Sequence, residues 1–180
     1  MARENLIPSP HQKLSDIELI LMMYLDRFKA RLQELGRVKK RYGKRVLSCT
    51  EKQVRSLEKQ CGLSLPAAYK EFLLWGGIQA GGFLVGSDFF YDPQMYQLRE
   101  GLEALLKEDE FPEPLPEDAF VFGGHQGYIF WFFKTFDGDD PPVYGYKQES
   151  APILFEAVPL RKIAPSYSQF LLEALEEEAS

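Results

Sequence analysis

Residues 119 to 133 read AFVFGGHQGYIFWFF, two short aromatic runs around a glycine-rich pentapeptide. Ala119-Phe120-Val121-Phe122 and Tyr128-Ile129-Phe130-Trp131-Phe132-Phe133 have strand composition. Gly123-Gly124-His125-Gln126-Gly127 supplies the turn a hairpin needs. Alternation sends Phe130 and Phe132 to one side of the second strand and Trp131 and Phe133 to the other, so both faces are apolar. Two readings follow: a strand buried on both sides, or an aromatic platform offered to a partner. Either way the chain must build an antiparallel sheet and cover at least one face of it.

The flanking segments supply the cover. Thr50-Glu51-Lys52-Gln53 is a capping box, and Val54, Leu57 and Cys61 line one helical face up to Gly62. In CGLSLPAAYKEFLLWGG, residues 61 to 77, Pro66 suits a first helical position, Tyr69, Phe72 and Leu73 share a face, and Gly76-Gly77 suits a left-handed stop. Gly82 to Val85 reads as a strand. Asp92-Pro93 reads as the start of a third helix carrying Leu98, Leu102, Leu105 and Leu106 to about Lys107. The acidic, proline-broken run from Glu108 to Asp118 must be an exposed loop. Asp137 to Pro141 is a turn into the strand Pro142 to Tyr146, and a further strand is expected at Ile153-Leu154-Phe155 and Val158. A last helix near Ser166 to Leu175 buries Tyr167, Phe170, Leu171 and Leu175, and Glu176 to Ser180 is expected to fray. The sum is α+β: a mainly antiparallel sheet with helices packed on one face.

Ahead of this lies a separate amphipathic stretch. Ser15 and Glu18 form a capping box, with Leu14 and Leu19 as its staple. Ile17, Ile20, Leu21, Tyr24, Phe28, Leu32 and Leu35 follow at helical spacing, and Gly36 offers a stop. Its apolar face packs either on its own chain or in a homodimer. We divide the chain into residues 1–47, this helix and a basic connector, and residues 48–180, the domain proper.

Charge follows the same division. Residues 1 to 45 hold 11 Lys/Arg against 5 Asp/Glu, and residues 46 to 180 hold 10 against 22, so a +6 arm precedes a −12 body within a chain of net −6. Such a body repels nucleic-acid backbones and steers basic surfaces toward itself. The basic run Arg37 to Arg45 reads as a solvated connector facing the acidic body, with contact to an anionic polymer or membrane as the alternative. No apolar run reaches the ~20 residues of a membrane span, and no export signal pattern is visible, so a cytoplasmic location is expected. The two cysteines, Cys49 and Cys61, are expected to be reduced thiols, because twelve helical residues rise about 18 Å.

In order, these segments resemble the SUKH superfamily, which includes bacterial immunity proteins and yeast cell-wall assembly regulators. The shared pattern covers roughly residues 50 to 175: a helix ending before Leu65-Pro66, the Tyr69-x-x-Phe72-Leu73 helix closed by glycine, aromatic strands about a glycine turn, Asp140-Pro141-Pro142-Val143, and a final Phe170-Leu171 helix. Many relatives carry Asn-Gly where the second helix ends; here Trp75 precedes Gly76-Gly77. The resemblance implies a non-catalytic protein-binding domain with no cofactor. It points first to an immunity protein neutralising a basic, nuclease-type toxin, and second to an intracellular regulatory scaffold. Charge and exposure, not a family motif, nominate Glu108, Asp109, Glu110, Glu113, Asp137, Asp139 and Asp140 as partner-binding residues, with Trp131 as an aromatic anchor.

Chemistry of other kinds finds little support. His125 among glycines suggests a phosphate cradle, yet a strand follows it where a cradle needs a helix N-terminus. Two cysteines and the distant His11 and His125 do not make a zinc site. Asp137, Asp139 and Asp140 lack the distal carboxylate of a calcium loop. An enzyme of unrecognised class is the remaining, weakest alternative.

Overall fold

The computed structural model describes residues 24–148 and 160–180. The elements run α1 (Asp26–Val38), a 3-10 turn (Lys40–Tyr42), β1 (Val46–Leu47), α2 (Glu51–Cys61), α3 (Ala67–Gly76), β2 (Gln79–Ala80), α4 (Gln97–Glu108), β3 (Ala119–His125), β4 (Ile129–Lys134), β5 (Val143–Lys147), β6 (Arg161–Ala164) and α5 (Tyr167–Ala179). β1 and β2 pair as a small antiparallel ladder, while β3-β4-β5-β6 form one antiparallel sheet in sequence order. The α+β class and the antiparallel sheet are as the sequence predicts.

Local chemistry sets most helix boundaries. In α2, Thr50 Oγ1 accepts from Gln53 N at 3.3 Å and Gln53 Oε1 accepts from Thr50 N at 2.8 Å; Gly62 ends the helix at φ 67°. Pro66 is the N-cap of α3, one residue ahead of the expected position. Gly77 is not a left-handed stop: its φ and ψ are −62° and −24°. Glycine is needed there for room, because a Cβ would lie 2.6 Å from Leu73 O and 2.7 Å from Cys49 Sγ.

The sheet is covered on both sides. Phe120, Phe122, Phe133 and Val143 face α3 and α5, where Tyr69, Phe72, Tyr167 and Phe170 complete a ring cluster. Tyr69 lies 5.3 Å from both Phe133 and Tyr167, edge to face, and Phe122 stacks on Phe133 at 5.3 Å. On the other side Ala119, Val121, Phe130, Phe132 and Tyr146 pack on Leu102, Leu105 and Leu106 of α4. The expected group of helices on one face is present, and α4 adds a layer to the other, so β4 is the strand buried on both sides. Each fully buried phenylalanine contributes roughly 1.5–3 kcal/mol. A bulge falls between Val121 and Gly123, so Phe122 has no partner of its own on β4.

The N-terminal helix joins the same core. Phe28, Leu32 and Leu35 are buried, and α1 lies against α5. The expected helix from Ser15 to Leu35 is interrupted at least at Tyr24 and Leu25, which form a bend; residues 14–21 lie outside the described residues. Nor is Gly36 a stop. The helix runs through it to Val38, and a Cβ at Gly36 would sit 3.1 Å from Tyr42 O.

Three further expectations need correction. Gly82 to Val85 is a string of turns, because Gly81, Gly82, Leu84 and Gly86 all have positive φ, and the strand is Gln79–Ala80 instead. Asp92-Pro93 opens a turn, not a helix: Asp92 Oδ1 accepts from Gln94 N at 2.7 Å and α4 begins only at Gln97. The acidic end of the chain does not fray, since α5 continues to Ala179 and Glu176 and Glu178 bond to Arg31 and Arg41. Residues 153–158 lie outside the described residues; β6 at Arg161–Ala164 was not expected.

Candidate functional site

The acidic candidates fall into two groups at opposite ends of the β4–β5 hairpin. Glu108 is the last residue of α4 and Asp109, Glu110 and Glu113 follow it, near the Tyr146 end of β5, while Asp137, Asp139 and Asp140 lie at the hairpin tip. Four residue steps of strand separate Val143 from Lys147, about 14 Å. Trp131 belongs to neither group. It is half-buried on the α5 side, lining a groove of about 620 Å³ with Ile163, Phe170, Ala174, Glu173 and Glu177. The structure therefore does not bring the eight residues onto one surface.

Several of these carboxylates already hold the fold. Asp109 accepts from the Tyr146 hydroxyl and from Gln148 Nε2 at 3.1 Å, tying the end of α4 to β5. Asp137 pairs with Lys134 at 3.1 Å. Asp140 accepts from Ser168 N at 2.9 Å and Ser168 Oγ at 2.6 Å, adding a negative charge to the first turn of α5, where the helix dipole favours it. Asp139 contributes its carbonyl, which accepts from Ala68 N at 2.9 Å, and leaves its side chain exposed. Glu108, Glu110 and Glu113 are exposed, with no ion pair among the described residues.

Sequence reasoning missed what surrounds the tip. Asp118 O accepts from Thr135 N at 2.9 Å and from Thr135 Oγ1 at 3.2 Å, and Asp118 Oδ2 accepts from Phe136 N at 3.3 Å. The end of the acidic loop, Glu117-Asp118, is thereby fastened beside Asp137 and Asp139. Phe136, bonded through its N–H to Asp118 and next to Asp137 in the chain, is 84% exposed. A signal was available: Phe136 follows Lys134 and Thr135, where the apolar run of β4 has already ended, so no partner strand covers its ring.

Glu71 was also missed, hidden in a helix that reads as amphipathic. It is 4% exposed, and its carboxylate accepts from Lys29 Nζ at 2.7 Å and Tyr24 N at 3.1 Å. Burial raises its pKa, and Lys29 opposes the rise. The group seats the start of α1 on α3.

Reactive groupings are sparse. Ser87 Oγ lies 3.1 Å from His125 Nδ1, but a nucleophile and base require a third group to orient the base, and among the described residues no carboxylate bonds to His125. The expected glycine turn is shorter than the pentapeptide: Gly123, Gly124 and His125 belong to β3, and Gln126 and Gly127, both at positive φ, make the turn. His11 lies outside the described residues. Among those described, no three His, Cys, Asp or Glu side chains gather to hold a metal ion, and no helix is long and apolar enough to cross a membrane.

A hairpin-built sheet between two helical layers, with its carboxylates either tied into the scaffold or standing on loops, defines a small α+β domain whose distinctive features are on its surface. Residues 48–173 match the SMI1 / KNR4 family (SUKH-1), and the chain belongs to that family. No curated protein matches it.

Proposed function

We propose that this chain is a non-catalytic protein-binding domain of the immunity type, which docks on a basic toxin and neutralises it. In this reading residues 48–180 are the binding domain and residues 1–47 an addition fastened to it through α1. The observation that carries the proposal is the acidic balance of residues 46–180, 22 Asp/Glu against 10 Lys/Arg, in a SUKH-1 domain. Fields of this sign speed the approach of basic proteins and repel phosphate backbones. The exposed carboxylates Glu108, Glu110 and Glu113 act as steering charges. Asp109 is engaged with Tyr146 and Gln148 and is left out of the test.

The test has two arms. Co-expression with a basic toxin encoded beside this gene should restore growth, and the purified pair should form a stable complex. Stopped-flow association of that pair with the triple variant Glu108→Gln, Glu110→Gln, Glu113→Gln should be slower, with a flatter salt dependence than wild type. Failure of every neighbouring toxin to bind or to be relieved would refute the immunity reading. A triple variant that associates at the wild-type rate and salt slope would remove these three residues from it.

A further inference from the structure

We infer that Phe136 is the anchor of the partner-binding surface and that it enters an apolar socket rimmed by Lys and Arg on a basic protein. The inference rests on the binding function proposed above and names the contact through which it acts. Phe136 is the most exposed large apolar side chain among the described residues, at 84%. It is not on a loose loop. Its own N–H is held by Asp118 Oδ2, Thr135 is held twice by Asp118 O, Asp137 N donates to Lys134 O at 3.2 Å, and Asp139 O receives Ala68 N. Asp140 then ties the far side of the turn to Ser168 at the start of α5. The ring is thus presented on a tip fastened to the β3 approach, to α3 and to α5. Little conformational freedom remains to be lost on binding.

The surroundings decide what kind of partner fits. Asp118, which holds the Phe136 N–H, and Asp137 and Asp139 in the same turn set the charge near Phe136, and among the described residues Lys134, paired with Asp137, is the cation bonded to them. An exposed aromatic ring within a polar, charged rim has the anatomy of an interface hot spot, in which the ring contributes affinity and the charges contribute approach. A second copy of this chain is a poor occupant, because two such acidic collars would face each other.

The experiment uses the full chain as bait for a basic protein from its native cells, followed by binding kinetics of the purified pair. Phe136→Ala should raise the off-rate about 30-fold, the hot-spot range, while the on-rate stays within about twofold. The double variant Asp137→Asn, Asp139→Asn should instead lower the on-rate and flatten its salt dependence. Val85→Ala, a truncation at another exposed apolar residue, should change neither. A wild-type pair that Phe136→Ala leaves intact, with unchanged melting temperature, overturns this inference alone. A concentration-dependent dimer of the free chain that Phe136→Ala abolishes reassigns the tip to self-association and also overturns it. A wild-type chain that retains no basic protein overturns the proposed function and this inference together.

Discussion

Replacing Lys29 by Met isolates the most deeply placed charge in the structure. Glu71, 4% exposed, would lose the ammonium 2.7 Å away and keep its backbone donors, Tyr24 N at 3.1 Å and Leu25. Breaking a buried ion pair from one side costs about 3–5 kcal/mol. Lys29 retains 18% of its exposure and Tyr24 N remains bonded, so the cost should fall at about 2–3 kcal/mol, or about 5–10 °C in Tm. Its sign with pH follows from Glu71. Burial raises the folded-state pKa above the ordinary 4.5, so in the window above 4.5 the folded chain binds the proton more readily than the unfolded chain. This group's contribution is therefore most favourable below 4.5 and declines as pH rises through the folded pKa. Without Lys29 that pKa climbs further. The gap between variant and wild type should then be widest near pH 7 and shrink on acidification toward 4.5. The double variant Lys29→Met, Glu71→Gln should recover much of the loss, because no charge is left buried. Urea unfolding from pH 4.5 to 8 measures all three chains. A gap that is constant with pH, or a double variant less stable than Lys29→Met, would refute the assignment of Glu71 as a buried carboxylate supported by Lys29.

Two further outcomes follow from the packing at Gly77. Gly77→Ala forces a Cβ to 2.6 Å from Leu73 O and 2.7 Å from Cys49 Sγ, where backbone must move; a loss of about 1–3 kcal/mol is expected in thermal unfolding. Burial pushes the Cys49 thiol up to about 11, so alkylation by iodoacetamide at pH 8 should be slow in the native chain and become fast on unfolding in urea; peptide mapping reports the site.

Elements whose cause is local were legible from the residues. The Thr50–Gln53 box, the Gly62 stop and the alternation of β4 each act within a few positions, and each stands where the pattern places it. Elements decided by distant contacts were not. Gly77 and Gly36 read as helix stops, whereas their role is to admit Cys49 and Tyr42, residues that come near only after folding. Glu176 to Ser180 reads as a fraying tail because its binding partners, Arg31, Lys39 and Arg41, lie well over a hundred residues earlier. The candidate site divides in the same way. Exposure of Glu108, Glu110 and Glu113 follows from a proline-broken acidic run, but which carboxylates hold the scaffold depends on partners such as Tyr146 and Ser168. The joining of Glu117-Asp118 to the hairpin tip, and with it the setting of Phe136, depends on the bonds from Thr135 and Phe136 to Asp118.

The basic arm and the acidic body compensate each other unevenly, and the unevenness bears on where a partner approaches. Arg31 bonds to Glu176, Arg41 to Glu178 and Lys39 to the carbonyl of Ala179, all in the last turn of α5. The hairpin tip is tied to the opposite end of that helix through Asp140 and Ser168. Ten residues separate Ser168 from Glu178, about 15 Å of helix. At physiological salt the Debye length is about 8 Å, so these cations screen the far end of α5 and act weakly at the tip. Neutralising salt bridges at one end therefore leave the field of Glu117, Asp118, Asp137 and Asp139 largely in place. In the proposed binding function the tip therefore keeps its carboxylates for a basic partner, while those in the last turn of α5 are taken up by the arm.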